Sequence, residues 1–231
     1  MVQPLMNKVK AVIFDLDGVI TDTAHYHYLA WKALAESLGI AFDAAFNEKL
    51  KGIGRMESLE LILEQGGQAD QYTLAEKEAM AARKNREYQS LITKMTPEEV
   101  LPGIPELLTQ LKADGLKIGL ASASKNAFTV LQCLNMTADF DYVADAAKIP
   151  HSKPAPDVFL DVAQAFNLEP KLCIGVEDAA AGIESIHRAG MFAVGIGDAE
   201  HLSAANLLFP SPQSLDLAAI YQAYSAWYTE Q

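Results

Sequence analysis

The sequence predicts an α/β protein in which an all-helical block interrupts a parallel-sheet core. Three observations carry this. From residue 97 onward, short apolar runs rich in β-branched residues alternate with stretches of helical period, the pattern of βαβ units. A run of the same kind, Lys10 to Phe14, stands alone near the start. Between the two, the period is helical throughout and no segment reads as a strand. The expectation is a Rossmann-like core formed by residues 1–22 and 97–231, with a helical cap, residues 23–96, inserted after the first strand.

Lys10 to Phe14 is β-branched and aromatic, suited to a strand covered on both faces. Met1 to Met6 reads as a short extension before it. Thr23, His27, Trp31, Leu34 and Leu38 then recur at helical spacing, and Gly39 stops that helix. The polar stretch Asn47 to Arg55, with its two glycines, reads as a turn between helices. A helix from about Arg55 to Gln65 ends at Gly66-Gly67, and Thr73-Leu74-Ala75-Glu76 is a capping box that opens a long helix to about Lys94.

In the second part, Pro102-Gly103-Ile104-Pro105 leads into a helix that ends at Gly115, with proline near its first turn. Lys117 to Ala121 is a strand, Asn126 reads as the cap of a helix to about Met136, and Asp141 to Ala144 is a short strand. Asp157 to Phe166 is helical, Leu172 to Val176 a strand, and Ala179 to Ala189 a helix stopped by Gly190. Strands at Phe192 to Ile196 and Leu207 to Phe209 and a helix from about Leu215 complete the chain.

With 231 residues and 50% hydrophobic content, the chain can bury a core domain and a smaller one. The net charge of -12 argues against nucleic-acid and anionic-membrane partners, while leaving room for a phosphorylated small molecule held by a few local cations. No stretch approaches the ~20 apolar residues of a membrane span, and the first residues lack a signal-peptide core, so a cytoplasmic protein is expected. Cys133 and Cys173 each sit in an apolar pattern and read as buried reduced thiols, and no Cys/His cluster has zinc spacing.

Chemistry in an open α/β sheet collects at the carboxyl ends of the strands. After the first strand come Asp15 and Asp17, one residue apart, so both point to the same side of an extended chain. Two carboxylates held that close require a cation between them or a shared proton. The plain alternative is a solvated Asp-Gly turn at Asp17-Gly18. Ser122 to Asn126, Lys153 and Glu177-Asp178 follow later strands. Each has a bland reading as a cap, a loop lysine or acids at a helix N-terminus. Jointly they bring four acids, a hydroxyl and a lysine to one rim, a carboxylate metal site beside a cationic phosphate clamp.

Phe14-Asp15-Leu16-Asp17-Gly18, Ser122, Lys153 and Glu177-Asp178 resemble, in order and spacing, the four motifs of the haloacid dehalogenase superfamily of phosphotransferases. Thr21-Asp22-Thr23-Ala24-His25-Tyr26-His27, Trp31-Lys32-Ala33-Leu34-Ala35, Leu50-Lys51-Gly52-Ile53-Gly54-Arg55 and Arg83-Lys84-Asn85 are similar to the β-phosphoglucomutase branch of it. So are Ala121-Ser122-Ala123-Ser124-Lys125-Asn126 and Ser152-Lys153-Pro154-Ala155-Pro156-Asp157. The resemblance implies the haloacid dehalogenase fold and the interconversion of β-D-glucose 1-phosphate and D-glucose 6-phosphate. The route would run through glucose 1,6-bisphosphate, which is both primer and intermediate.

The resemblance makes Asp15 the nucleophile, Asp17 the general acid and base, Ser122 a donor to the phosphoryl group, and Lys153 the cation beside both. It implies one Mg²⁺ per chain, held by Asp15, the backbone carbonyl of Asp17 and Asp178, with Glu177 close by. Arg55 would clamp the second phosphate, with Ser124, Lys125 and Asn126 contributing from the core and Ala123 beside them. Lys51, Gly52, Lys84, Thr23, Trp31 and Ser58 would line the sugar phosphate, and His27 would gate cap closure. Without the resemblance, His27 and Trp31 read as cap packing, and Lys51 and Arg55 as a solvated basic turn. Gly54 and Ala179-Ala180-Ala181 depart from the family pattern, which bears on substrate preference more than on reaction type. The rival readings are a Mg²⁺-dependent sugar-phosphate phosphatase and a non-catalytic binding protein on this fold; a monomer acting on small sugar phosphates is expected.

Overall fold

The computed structural model describes residues 8–50 and 53–229. In chain order, β1 (Ala11–Phe14) is followed by four helices, α1 (Ala24–Ser37), α2 (Ala44–Glu48), α3 (Arg55–Gln65) and α4 (Leu74–Ile92). Next come α5 (Ile104–Ala113), β2 (Lys117–Leu120), α6 (Ala127–Cys133), β3 (Tyr142–Val143) and α7 (Asp157–Ala165). β4 (Cys173–Glu177), α8 (Ala180–Arg188), β5 (Phe192–Ile196), β6 (Leu207–Phe209) and α9 (Leu217–Thr229) follow. These elements form two compact units, one up to Asp22 and from Thr96 onward, the other Thr23–Met95.

In the larger unit six parallel strands lie in the order β3-β2-β1-β4-β5-β6. β1 is central and buried along its whole length. Its side chains alternate between two apolar layers. Ala11 and Ile13 join Phe159, Val162, Ile183 and Ile186 of α7 and α8. Val12 and Phe14 face Leu107 and Leu111 of α5 and Leu217 and Ile220 of α9. Full burial of each such branched or aromatic side chain contributes about 1.5–3 kcal/mol.

Register places the rim residues side by side. Phe14 pairs with Leu120 on one side and Val176 on the other. The ladder runs one step further, with the Asp15 N–H donating to Val176 O at 3.0 Å and the Ala121 N–H to Phe14 O at 2.7 Å. Strand order reverses direction between β1 and β4, the switch point at which such sheets open a crevice.

Beyond Asp15 the chain folds into a tight loop. The Gly18 N–H donates to Thr21 O at 2.8 Å and the Ile20 N–H to Leu16 O at 2.9 Å. Gly18 has φ +75, and a Cβ there would fall 2.0 Å from Asp178 Oδ2, so only glycine fits. Thr21 Oγ1 donates to Glu99 O at 2.7 Å. The Leu101 N–H donates to Ile20 O at 2.8 Å, which fastens these two stretches of the unit together.

The smaller unit is helical among its described residues and has its own core of Trp31, Leu34, Phe42, Phe46, Leu59, Ile62 and Leu63. Thr73 and Glu76 form the expected capping box, and Lys77 of α4 donates to both Glu60 carboxylate oxygens of α3 at 2.9 Å. The turn expected from Asn47 begins inside a helix instead. α2 is capped by Asp43, whose Oδ1 accepts the Phe46 N–H at 2.7 Å, and Phe46 packs edge-on against Phe42. Five residues are too few to show a helical period.

Two further expectations are corrected. α6 ends at Cys133, before Met136, because Asn135 turns into the left-handed region at φ 57. The Asn126 side chain makes no capping bond to α6; its own N–H instead donates to Ser124 Oγ at 3.2 Å. Cys173 is buried, and burial pushes its thiol up to about 12, as suits an inert core residue; Cys133 is half-buried. No helix among the described residues is long and apolar enough to cross a membrane.

Candidate active site

At the carboxyl end of β1, Asp15 is buried, and Lys153 Nζ donates to its Oδ1 at 2.6 Å and to Glu177 Oε1 at 2.7 Å. The Lys153 ammonium also sits 5.1 Å over the Phe159 ring, and the Lys153–Pro154 peptide is cis. Among the described residues no donor bonds Asp15 Oδ2, so one oxygen of this carboxylate is pinned and the other is open. Glu177 is used on both oxygens, since its Oε2 accepts the Ala179 N–H at 2.8 Å.

Ser122 is buried at the end of β2, and its Oγ accepts the Ser124 N–H at 3.1 Å. Its hydroxyl proton is therefore left to donate. Ser124 Oγ accepts the Asn126 N–H in turn, so two successive side-chain-to-backbone bonds hold residues 122–126 in one shape. Ala123 and Lys125 lie in this same turn.

The charges on this rim do not balance. Among the described residues, Asp15, Asp17, Glu177 and Asp178 act on one another with Lys153 as the cation between them. Burial pushes the Asp15 carboxyl up to about 7; Lys153 opposes this, and the charges of Glu177 and Asp17 add to it. Asp178 is pushed up to about 8, first by the protein packed around its carboxyl and then by Glu177, Asp15 and Asp17. Asp178 is exposed as a residue, yet its carboxyl lies against Gly18, and that crowding is the side that matters. Burial works against the Lys153 charge, but Asp15 and Glu177 outweigh it and hold the ammonium above its ordinary range.

A surplus of buried carboxylate calls for a cation. Ligand oxygens of Asp15, Glu177 and Asp178 lie within 4.8 Å of one another. Hard oxygen donors with net negative charge fit Mg²⁺. Asp178 accepts no hydrogen bond from a described residue, so its carboxylate and Asp15 Oδ2 are the more open ligands.

The helical unit gathers a second set. His27 and Trp31 lie one turn apart on α1, Lys84 and Tyr88 one turn apart on α4, and the two helices pack together. Lys84 is buried, with Nζ 2.8 Å from His27 Nδ1 and 4.5 Å over the Trp31 ring. His27 stacks on Tyr88 with centroids 4.1 Å apart. An ammonium has no acceptor, so it donates to Nδ1, and the imidazole keeps its proton on Nε2. Burial, then the charges of Lys84 and Arg55, hold His27 well below its ordinary value.

Arg55 opens α3 and is half-buried; Ser58, one turn on, is buried, as is Thr23 before α1. Trp31 belongs to the apolar core of this unit, as its packing reading expects, and its ring also lies under the Lys84 ammonium. Lys51 and Gly52 lie outside the described residues.

Two contributors escape a reading of the sequence alone. Tyr88 looks like one more core aromatic until His27 is seen stacked on it. Glu177, expected beside the metal, also accepts from Lys153 through Oε1. Gly182 lies in α8, where a Cβ would fall 2.0 Å from Glu177 Cδ, so α8 must lack a side chain there for Glu177 to reach the lysine. An isolated glycine inside a helical pattern was the one available signal.

The model of haloacid dehalogenase-like hydrolases matches residues 9–190. The chain is 50% identical to the β-phosphoglucomutase of Bacillus subtilis (strain 168) over 95% of its own length and 97% of that protein's. It is 31% identical to the fructose-1-phosphate phosphatase of Escherichia coli (strain K12) over 83% of its length and 98% of that protein's. The crystal structure of β-phosphoglucomutase from Clostridium difficile superposes with TM-score 0.91 at 49% identity, covering 96% of this chain and 99% of that one. The order of the rim residues, the sheet that carries them and these likenesses agree: the chain belongs to the β-phosphoglucomutase family of haloacid dehalogenase-like proteins.

Proposed function

We propose that this protein interconverts β-D-glucose 1-phosphate and D-glucose 6-phosphate through β-glucose 1,6-bisphosphate, carrying the phosphoryl group on Asp15. The observation that carries the reading is the state of Asp15: buried, pinned through Oδ1 by Lys153, and open at Oδ2. A carboxylate so held can attack phosphorus and form an acyl phosphate. The identity of 50% to a β-phosphoglucomutase, against 31% to a sugar-phosphate phosphatase, favours return of the phosphoryl group to sugar over loss to water.

Phosphoryl transfer depends on positioning and on charge placed around the equatorial oxygens. Lys153 neutralises the nucleophile and the incoming group together, and Ser122 donates its free proton to a phosphoryl oxygen. Bound between Asp15, the Asp17 carbonyl and Asp178, with Glu177 near, Mg²⁺ would offset the surplus carboxylate charge and polarise the phosphoryl group. Asp17 takes the proton of the sugar hydroxyl as it attacks phospho-Asp15. In the second step it returns that proton to the oxygen from which the other phosphoryl group departs to Asp15.

A bisphosphate must be held with either phosphate at Asp15. Arginine's fork suits the distal one, a role we assign to Arg55 with Ser124, Lys125 and Asn126. Lys51, Gly52, Thr23, Trp31, Ser58, Ala123 and Lys84 line the sugar in this reading, and His27 gates the cap. The protein acts as a cytoplasmic monomer on small sugar phosphates.

Phosphorus NMR tests the proposal, with Mg²⁺, β-glucose 1-phosphate and a glucose 1,6-bisphosphate primer, and the α-anomer as control. Growth of the glucose 6-phosphate signal from the β-anomer alone is expected. Inorganic phosphate without glucose 6-phosphate would make the protein a phosphatase.

A further inference from the structure

Ser185 is wholly buried in the middle of α8. A serine inside a helix ordinarily returns its hydroxyl to a carbonyl three or four residues back on its own helix. Here the Ser185 Oγ donates at 2.6 Å to Ala155 O, 30 residues away in sequence. Ala155 closes the turn that carries Lys153, because its N–H donates to Ser152 O at 3.0 Å. Lys153 is the second residue of that turn. The turn is thus held at its Ala155 end by both backbone groups, one internally and one by α8.

We infer that Ser185 is a positioning residue for phosphoryl transfer, fixing the backbone from which Lys153 reaches Asp15. A lysine ammonium stands on a flexible four-carbon stem, and its place is set only as well as the backbone beneath it. Lys153 Nζ makes bonds of 2.6 Å to Asp15 and 2.7 Å to Glu177. Glu177 ends β4, and α8 begins three residues later. The same strand–helix unit therefore anchors the ammonium through Glu177 and the backbone through Ser185. Release of the Ala155 carbonyl frees the turn to shift while Glu177 holds the far end, and the lysine must then compromise between its partners.

The inference rests on the proposed role of Lys153 beside a phosphorylated Asp15, but it does not depend on which sugar is used. Its test therefore uses acetyl phosphate as donor. The phosphoryl group passes to the Asp15 carboxylate, acetate leaves, and the mass gain of the protein is followed with time in Mg²⁺. Ser185→Ala should slow this transfer by about tenfold, less than the ~10²-fold that a full 1 Å misplacement of a catalytic group costs. In a Lys153→Met background, Ser185→Ala should change the remaining rate by less than about twofold, since residues that act as a unit are not additive.

Alanine is the better helix former, so α8 should survive, and a thermal melt checks this. An unchanged rate in Ser185→Ala overturns the inference. So does an equal fractional loss in both backgrounds, which is what general damage to the fold would give. The mutase reading stands or falls separately, on whether the unaltered protein makes glucose 6-phosphate.

Discussion

Lys84 Nζ lies 2.8 Å from His27 Nδ1, inside a box closed by the Trp31 and Tyr88 rings. A charged donor aimed at an imidazole nitrogen fixes its tautomer and opposes its protonation. His27 is expected to remain neutral, with its proton on Nε2, at mildly acidic pH where an ordinary histidine is already protonated. Nitrogen-15 NMR of the ring should show this. In Lys84→Met the ring should titrate closer to its ordinary value, although burial, the larger cause, still holds it down. A His27 that titrates normally in the unaltered protein would contradict the buried donor geometry.

The carboxylate surplus at Asp15 links metal binding to pH. Both Asp15, at about 7, and Asp178, at about 8, lie above the ordinary carboxylate value of 3.8 without metal. The folded state therefore binds more protons than the unfolded state between about pH 4 and 8, and this contribution is lost as pH rises through that window. Mg²⁺ held by these carboxylates would replace those protons. Its stabilisation of the fold, read as a shift in melting temperature, should be small at about pH 5 and large at about pH 8. A shift independent of pH would place the metal away from these carboxylates.

Asp17→Ala is expected to lower turnover by about 10²–10⁴-fold, the range for loss of a positioned proton donor and acceptor. The fold should be kept, as Asp17 lies in the loop beyond the β1 core. Steady-state assay beside circular dichroism separates the two.

Gly182→Ala sets two effects of opposite sign against each other. In an ordinary helix interior the change gains about 0.5–1 kcal/mol. Here the new Cβ would fall 2.0 Å from Glu177 Cδ and Oε1. Overpacking of that kind costs about 1–3 kcal/mol, so a net loss of stability is expected in a urea melt. Turnover should fall with it, because Glu177 is displaced from Lys153. A more stable and fully active variant would show that α8 yields easily.

Arg55→Ala should reduce kcat/KM for the mutase reaction by about 10- to 100-fold, the loss of a charge-assisted bond worth about 1.5–3 kcal/mol. Hydrolysis of a substrate with one phosphate should change little. Equal losses in the two assays would remove the assignment of Arg55 to the distal phosphate.

The order of strands and helices was legible along the chain because it follows from local periods. Ile13 and Phe14 fall on opposite faces of β1 as a period of two requires, and Thr73 caps α4 through a four-residue pattern. α2 was not legible, because five residues carry no period. The rim residues could be collected from sequence because a parallel sheet brings its carboxyl ends to one side. Asp15 and Ser122 lie just past β1 and β2, Lys153 in the loop after β3, and Glu177 ends β4.

The partnerships at that rim were decided only by the tertiary structure. Lys153 meets Asp15 from 138 residues away, and Ser185 meets Ala155 across 30. A sequence shows that two carboxylates stand near each other, but their proton affinity depends on what surrounds them. For Asp15 the largest cause is burial, which exists only once the core has closed over β1. The sequence by itself therefore determined which groups are present and on which edge they gather. Packing decided which oxygen of Asp15 is held and which is open, because dielectric, distance and direction are properties of the folded chain.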